Sequence, residues 1–341
     1  MKQYFSFQWH ITDECDQRCK HCYIFADGHP ELLSMSWEQI QAVLENSMNF
    51  CERYDRLPYF YITGGDPILH SDFWRLAETL KERDIPFTIM GNPFHVTQDV
   101  CERLKDCGCQ KYQMSLDGLR DTHDWFRKPG SFDCTLDKIS IIKAAGILSV
   151  IMTTVSGANI IEIPALIDTV AQYGVDIFAF ARYCGSSLSN DDISPRDYRD
   201  FLEVCDEKSK QYANTETYFN RKDHLWTLFE HERGEFVIPD NADEYTIYDG
   251  CNCGNCHIAI LPSGDIYACR RLESKVGNVF QDELAYVWQN PIMNSYRDYG
   301  AFKKCGKCEL LRFCRGCPAV AYGKTGDFYA ADPQCWKEVA V

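Results

Sequence analysis

The sequence lacks the features that mark membrane-inserted, exported or nucleic-acid-binding proteins. No apolar run reaches the ~18 residues that a membrane-spanning helix needs. The first ten residues have no basic start followed by an apolar stretch, which excludes a signal peptide. Lys and Arg number 35 against 50 Asp and Glu, and the net charge of −15 disfavours binding to phosphate backbones. We therefore predict a cytoplasmic protein that has neither a membrane nor a nucleic acid as a partner.

Cysteine, in contrast, is abundant, with 19 residues in 341. Without an export signal, so many cysteines indicate metal ligands in a reducing compartment rather than disulfides. Some of them fit no ligand spacing, and we interpret these as buried, apolar-like side chains. This group consists of Cys51, Cys101, Cys107, Cys109, Cys134, Cys184 and Cys205.

Three cysteines near the N-terminus form the most informative motif. Cys15, Cys19 and Cys22 are spaced as C-x3-C-x2-C. Thiolates suit iron–sulfur clusters, and three thiolates on a four-iron cluster leave one iron open to a ligand. The alternative is a zinc knuckle, but zinc prefers four ligands in paired groups, and His21 is badly placed to be the fourth. The spacing favours an iron–sulfur site.

With Tyr23 directly after it, this triplet resembles the cluster loop of the radical S-adenosylmethionine (SAM) enzymes. The resemblance implies a [4Fe-4S] cluster whose open iron binds the amino and carboxylate groups of SAM. It further implies that an electron from the cluster cleaves SAM to a 5′-deoxyadenosyl radical, which abstracts hydrogen from a substrate. The cofactor carries that chemistry, and the protein positions it.

Strand-like and helix-like segments alternate over the first half of the chain and predict a parallel α/β sheet. The resemblance implies that six such units form an open, TIM-like partial (β/α)6 barrel. The active site of such a sheet lies at the carboxyl ends of its strands. The predicted strands are 4–11, 58–63, 87–90, 112–115, 149–155 and 176–181, and the predicted helices are 36–54, 71–84, 97–107, 133–145 and 160–173.

Composition divides the chain into three predicted regions. Residues 1–184 would form the partial barrel. Residues 185–250 are polar and are predicted to form a helical bridge, with helices near 195–213 and 221–232. Residues 251–341 hold nine of the cysteines and read as a small module that metal holds together, because so short a segment has little core of its own.

The segment Thr-Gly-Gly-Asp-Pro at 63–67 resembles the GGE motif of the radical SAM family, which binds the SAM amino group. The resemblance assigns that role to Gly64, Gly65 and Asp66, although aspartate has a shorter reach than glutamate. For this segment, the alternative is an ordinary turn after a strand. For the remaining candidates, the alternatives are a helix-capping role for the serine and structural roles for the arginines. Those candidates are Ser115 for the SAM ribose, Arg127 and Arg182 for its carboxylate, and Asn159 as a further contact.

The cysteines of the C-terminal region resemble the SPASM domain, although the last C-x2-C is one residue shorter than the family pattern. The resemblance implies two auxiliary four-iron clusters, and hence three [4Fe-4S] clusters in all. Zinc is the alternative metal. By position, one cluster would take Cys269, Cys317 and two of Cys251, Cys253 and Cys256, and the other would take Cys305, Cys308, Cys314 and Cys335.

Many enzymes of this kind mature ribosomally made peptides by crosslinking, epimerisation or oxidation. The resemblance therefore implies a peptide or protein substrate and a flavodoxin- or ferredoxin-type electron donor. Only 14 residues precede Cys15, so we expect any leader peptide to bind a separate partner protein or the barrel itself. Two alternatives remain: an enzyme of cofactor biosynthesis, such as the haem pathway, that acts on a small molecule, and a non-catalytic iron–sulfur electron carrier.

Overall fold

A computed structural model describes residues 2–25, 31–185, 193–243 and 245–339. Ten strands form one sheet in the order β10-β9-β8-β1-β2-β3-β4-β5-β6-β7. Neighbouring strands from β1 to β7 are parallel, and β8 joins the sheet parallel to β1. Helices connect the successive parallel strands, so the predicted α/β partial barrel with six strand–helix units is confirmed.

The barrel elements follow the prediction closely, with one addition. Ser36 caps the first helix, and Gly146 follows the fifth with a φ of 75°, as a left-handed helix stop does. Helix α2 begins at Phe73, two residues after the predicted start, and Asp72 before it makes no side-chain cap hydrogen bond. Helix α4 was not predicted. The elements are β1 Gln3–Thr12, α1 Trp37–Arg53, β2 Arg56–Gly64, α2 Phe73–Glu82, β3 Phe87–Met90, α3 Gln98–Asp106, β4 Cys109–Ser115, α4 Arg120–Phe126, α5 Ser131–Ala144, β5 Leu148–Val155, α6 Ile163–Gln172 and β6 Ile177–Arg182.

The bridge also contributes a strand. Helices α7 (Pro195–Gln211) and α8 (Leu225–Glu232) correspond to the two predicted helices. Between them, β7 (Tyr218–Asn220) pairs parallel with β6 at the edge of the sheet. Residues 186–192 and 244 of the predicted bridge lie outside the described part of the chain.

The C-terminal region shares the sheet of the barrel. Its elements are β8 (His257–Ile260), β9 (Asp265–Tyr267), β10 (Lys275–Asn278), α9 (Leu284–Val287), α10 (Pro291–Ser295) and α11 (Pro318–Thr325). Trp288 packs edge-on against Phe5 of β1 and Phe50 of α1, with ring centroids 5.0 and 5.7 Å apart. The C-terminal region therefore shares the apolar core of the barrel, and its stabilisation by metal stays a prediction.

The two faces of the barrel strands differ in character. Phe7 and Trp9 of β1 are fully buried, and Phe7 packs on Phe50 of α1. The alternate residues, such as Gln8, point away from the helices and are only half-buried. Because side chains alternate along a strand, the face opposite the helices is polar and accessible. We call it the concave face.

Candidate functional site

The cysteine loop follows β1. The Cys22 backbone N–H donates to the Cys19 carbonyl at 3.1 Å, and the Lys20 N–H donates to the carbonyl of Phe126 at 2.8 Å. Helix α4 thus anchors the loop. All three thiols remain partly exposed. Burial raises the pKa of Cys15 to about 11, so a metal must displace a proton from this thiol when it binds.

Two side chains from other parts of the barrel reach the thiols of this loop. The Asn92 Nδ2 atom lies 3.9 Å from the Cys15 Sγ atom, and the Arg127 Nη1 atom lies 3.8 Å from the Cys19 Sγ atom. Asn92 follows β3 and Arg127 follows α4. Donors at these positions stabilise thiolates and tune the potential of a cluster that the thiolates hold.

Gly64 and Gly65 bring the end of β2 against the cysteine loop. The Gly65 N–H donates to the Thr12 carbonyl at 2.8 Å. A Cβ atom at Gly64 would lie 2.0 Å from the Thr12 carbonyl oxygen, and one at Gly65 would lie 2.1 Å from that of Glu14. Gly64 also has a φ of +139°. Only glycine allows this approach, so the two glycines position the loop backbone rather than simply leaving room for a ligand.

Asp66 is the buried carboxylate next to the loop. Its N–H donates to the Glu14 carbonyl at 2.7 Å, and its Oδ1 accepts from the Ile68 N–H at 3.3 Å. The side chain is fully buried, and among the described residues its Oδ2 has no hydrogen-bond partner. Burial, with a contribution from the charge of Asp16, raises the pKa of Asp66 to about 7. An unpartnered buried carboxylate oxygen needs a donor, and the amino group of SAM would supply one.

Arg127 is held by a buried carboxylate. Its Nε donates to Asp117 Oδ2 at 2.6 Å, and Asp117 Oδ1 accepts from the Thr154 N–H at 2.9 Å. Although burial opposes it, the Arg127 and His21 charges hold the pKa of Asp117 well below its usual range. The rest of the guanidinium faces Cys19, so Arg127 lies at the cysteine loop. A contact between Arg127 and the SAM carboxylate stays a prediction.

Asn159 uses its whole amide within the scaffold. Its Nδ2 donates to the carbonyls of Asp117 and Thr154, both at 2.8 Å, and its Oδ1 accepts from the Ser156 N–H at 2.7 Å. The residue is fully buried. It joins the ends of β4 and β5 and has no free group for SAM.

Arg182 also points away from the cysteine loop. Its guanidinium is buried and donates to Asp223, Asp332 and Gln334 at 2.6–2.9 Å. These partners belong to the bridge and to the C-terminal region. The structure therefore does not bring Arg182 to a SAM carboxylate, and its role is to connect the barrel to those regions.

The remaining two candidates lie at the rim of the concave face. Ser115 ends β4 and is half-buried, in register with Met152 of β5. The Tyr23 ring is 39% exposed and lies beneath the guanidinium of Arg270, 4.0 Å from the ring centroid. Arg270 immediately follows Cys269, so the cysteine loop and the C-terminal region meet at this contact.

One group of C-terminal cysteines consists of Cys305, Cys308, Cys314 and Cys335, which the sequence assigned to the second auxiliary cluster. Burial and the negative charges of Cys335 and Cys308 raise the pKa of Cys305 to about 12. Burial also raises the pKa of Cys314, with smaller contributions from Cys305 and Cys335. The four thiols lie close enough for their charges to interact, which fits the four thiolates of a cubane.

The other group gathers Cys251, Cys253, Cys269 and Cys317. The Cys253 backbone N–H donates to the Cys251 Sγ atom at 3.5 Å, and the Cys251 charge acts on the Cys253 thiol. Burial and the charges of Cys251 and Cys317 raise the pKa of Cys269 to about 12. Cys256 lies at the start of β8, where its carbonyl accepts from the Ser6 N–H at 3.1 Å. Of the three alternatives, the geometry favours Cys251 and Cys253.

Sequence reasoning missed several residues of the site. Gln17 lies within the triplet, and its amide oxygen accepts from the Cys19 thiol at 3.6 Å. Arg271 donates to the Cys317 Sγ atom at 3.7 Å. The sequence did contain a signal for Arg271, because two adjacent arginines directly follow Cys269. Cations beside thiolate ligands stabilise the thiolates.

Comparison with protein families identifies the class. The Radical SAM superfamily model matches residues 9–170, and the SPASM model, an iron–sulfur cluster-binding domain, matches residues 251–318. The chain therefore belongs to the radical SAM superfamily and carries a C-terminal SPASM domain. It is a radical SAM enzyme, with SAM and [4Fe-4S] clusters as cofactors. In its described part, none of the helices combines the length and apolar character that a membrane crossing requires.

Two kinds of relative are similar in sequence over nearly the whole chain. The AdoMet-dependent heme synthase of Methanosarcina barkeri is 25% identical and covers 96% of this chain and 95% of its own. The mycofactocin maturase MftC of Mycobacterium tuberculosis strain CDC 1551 is 24% identical and covers 96% and 81%. Streptococcus suis SuiB bound to S-adenosylmethionine has a similar fold, with a TM-score of 0.75 at 20% identity over 98% of this chain and 78% of its own.

Proposed function

We propose that this enzyme abstracts a hydrogen atom from a peptide or protein substrate bound at the concave face of the barrel, and so modifies the substrate by oxidation, crosslinking or epimerisation. When SAM and the N-terminal cluster are bound, they supply the 5′-deoxyadenosyl radical for this step. The observation that supports the proposal most is the contact between the cysteine loop and Asp66, whose free Oδ2 lies buried beside Cys15.

Each residue of the loop has a role in this proposal. The thiolates of Cys15, Cys19 and Cys22 hold the cluster, and Asp66 accepts a hydrogen bond from the SAM amino group. Arg127 donates to the Cys19 sulfur while Asp117 fixes its orientation. A charge-assisted hydrogen bond between the Asp66 carboxylate and the SAM amino group would contribute about 1.5–3 kcal/mol. Asp66 would therefore account for a large part of SAM affinity.

The C-terminal cysteines would hold two auxiliary clusters, for three [4Fe-4S] clusters in all. The spatial grouping into two sets supports this count. A flavodoxin- or ferredoxin-type protein would supply the electrons in the cytoplasm. The leader segment of a peptide substrate would bind the barrel itself or a separate protein.

The concave face supports a substrate with polar groups. Gln8 of β1, Tyr61 of β2, Gln113 of β4 and Met152 of β5 are half-buried there, between fully buried neighbours. Peptide amides would find both donors and acceptors along this lining. Streptococcus suis SuiB, which has a similar fold, has been solved bound to the precursor peptide SuiA, and this also supports a peptide substrate.

A second candidate substrate is a tetrapyrrole. Relatives named AdoMet-dependent heme synthase are 25–27% identical over 96% of the chain. Cationic side chains suited to carboxylates lie near the start of β8. Lys222 acts electrostatically on His257, and burial, with the charge of Arg271, lowers the pKa of Lys222 to about 8. This polar, cationic wall would bind the carboxylates of such a substrate.

One experiment separates these functions. Anaerobically reconstituted enzyme, SAM and a reductant are incubated with short peptides encoded beside its gene, or with Fe-coproporphyrin III. 5′-Deoxyadenosine and substrate mass are then measured. Substrate-dependent 5′-deoxyadenosine and a mass change in a peptide support the first proposal. The same result with the tetrapyrrole alone supports the second proposal. If SAM is not cleaved under any condition, the remaining interpretation is a non-catalytic iron–sulfur electron carrier.

A further inference from the structure

A fifth thiol lies beside the group that consists of Cys251, Cys253, Cys269 and Cys317. Cys184 comes two residues after β6, in a part of the sequence with no ligand spacing. Its thiol donates to the Arg182 carbonyl at 3.6 Å and lies close enough to Cys317 and Cys269 for their charges to act on it. The interpretation of Cys184 as an apolar-like buried cysteine therefore does not describe its surroundings. It faces a set of thiols from the SPASM domain.

Contacts from both sides fix this position. A Cβ atom on Gly323 of α11 would lie 1.9 Å from the Cys184 carbonyl oxygen, so the helix packs directly on this backbone. Arg271 bridges the same two segments, because it donates to the Arg182 carbonyl and, at 3.7 Å, to the Cys317 sulfur. The end of β6 and the SPASM domain are thus held together at Cys184.

The thiol of Cys256 lies in different surroundings. It belongs to the same short segment as Cys251 and Cys253, but backbone pairing with β1 fixes it at the start of β8. The charge of Arg56, at the start of β2, acts on it, and so does that of Cys251. The Cys317 and Cys269 charges act on Cys184 instead.

We propose that Cys184 is a thiolate ligand of the auxiliary cluster that Cys269 and Cys317 hold. The proposal rests on the auxiliary clusters proposed above. A cubane takes four thiolates, and the structure offers five here: Cys184, Cys251, Cys253, Cys269 and Cys317. With Cys184 as a ligand, one of Cys251 and Cys253 is dispensable and Cys256 is not a ligand. The first auxiliary cluster then ties the barrel covalently to the SPASM domain.

The test compares anaerobically reconstituted full-length variants. We expect Cys184→Ala to lose up to about four of about twelve irons per chain and to change the electron paramagnetic resonance spectrum of the reduced protein. Cys184→Ser, which offers an oxygen ligand, should retain more iron with shifted g-values. Matched controls are Cys205→Ala, a buried thiol on α7, and Cys256→Ala. Both should retain all the iron.

A measurement on the wild-type chain covers the case in which the variant does not fold. Iodoacetamide labelling followed by mass spectrometry should find Cys184, Cys269 and Cys317 protected when iron is present and reactive together once it is chelated. Equal labelling of Cys184 in both states, or full iron and an unchanged spectrum in Cys184→Ala, overturns the proposal alone. A wild-type chain that binds only about four irons overturns both this proposal and the three-cluster count.

Discussion

Arg182, at the end of β6, donates to both carboxylate oxygens of Asp332 in the C-terminal region, at 2.6 and 2.8 Å. Its Nε also donates to Asp223 in the bridge at 2.9 Å. All three side chains are buried. One guanidinium thus connects the three predicted regions of the chain, and it does so near the open side of the barrel that Arg271 also crosses.

Replacing Arg182 should therefore destabilise the protein without a direct effect on SAM binding. Arg182→Ala leaves two buried carboxylates without their cation, which costs about 3–5 kcal/mol of unfolding free energy. Denaturant unfolding measures the loss, and Arg196→Ala, at an exposed arginine, is the control. Unchanged stability together with weaker SAM binding would instead support the role that the sequence first suggested for Arg182.

A methyl group on Gly65 should disrupt the N-terminal cluster selectively. In Gly65→Ala the new Cβ meets the Glu14 carbonyl oxygen at 2.1 Å, so the backbone of the cysteine loop must move. We expect the loss of about four irons and of SAM cleavage, while the C-terminal iron is retained. Gly300→Ala is the control, because Gly300 does not have a left-handed φ and its added Cβ would meet only the Asp298 Oδ1 atom, at 3.7 Å, an ordinary van der Waals distance. Full iron and SAM cleavage in Gly65→Ala would contradict this account.

Asp66→Asn should weaken SAM binding by about one to two decades and leave the iron content unchanged. The reason is the loss of a carboxylate acceptor for the SAM amino group at the otherwise unpartnered Oδ2. Isothermal titration calorimetry measures the affinity. If the variant binds SAM as the wild type does, backbone groups alone hold the amino group.

The effect of Asp66 should also depend on pH. Burial raises the pKa of its carboxyl to about 7, so the group is protonated below that pH and ionised above it. SAM stabilises the ionised form, so wild-type affinity should rise relative to that of Asp66→Asn between about pH 6 and pH 8. Comparison with the variant cancels the titration of SAM itself. A constant ratio across this range would contradict the predicted role.

Iron removal should loosen the SPASM domain only in part. Ile258 and Ile260 of β8 are buried beside β1, so apolar packing holds this segment without metal. The segment 305–335 depends on its thiols and should lose protection first. Hydrogen exchange with and without a chelator measures this order. Simultaneous loss of protection over 257–335 would restore the view that metal alone folds the domain.

The local pattern of the sequence predicted the barrel well, because buried strands, capped helices and glycine stops are signals within a few residues. Long-range pairing was not predictable in this way. β8 joins β1 across more than 240 residues, and the three-residue β7 carries too few side chains for an alternating pattern. The triplet and the C-terminal cysteines were identified by spacing, whereas Cys184 has no spacing signal and is brought to Cys317 only by the fold.

The most direct test of the account is iron content and SAM cleavage in the same preparation. Anaerobically reconstituted wild-type enzyme should hold about twelve irons with matching sulfide and should form 5′-deoxyadenosine when reduced. The triple variant Cys15→Ala, Cys19→Ala, Cys22→Ala should lose about a third of that iron and all 5′-deoxyadenosine. Stoichiometric zinc in the wild type, or SAM cleavage that persists in the triple variant, would contradict the account.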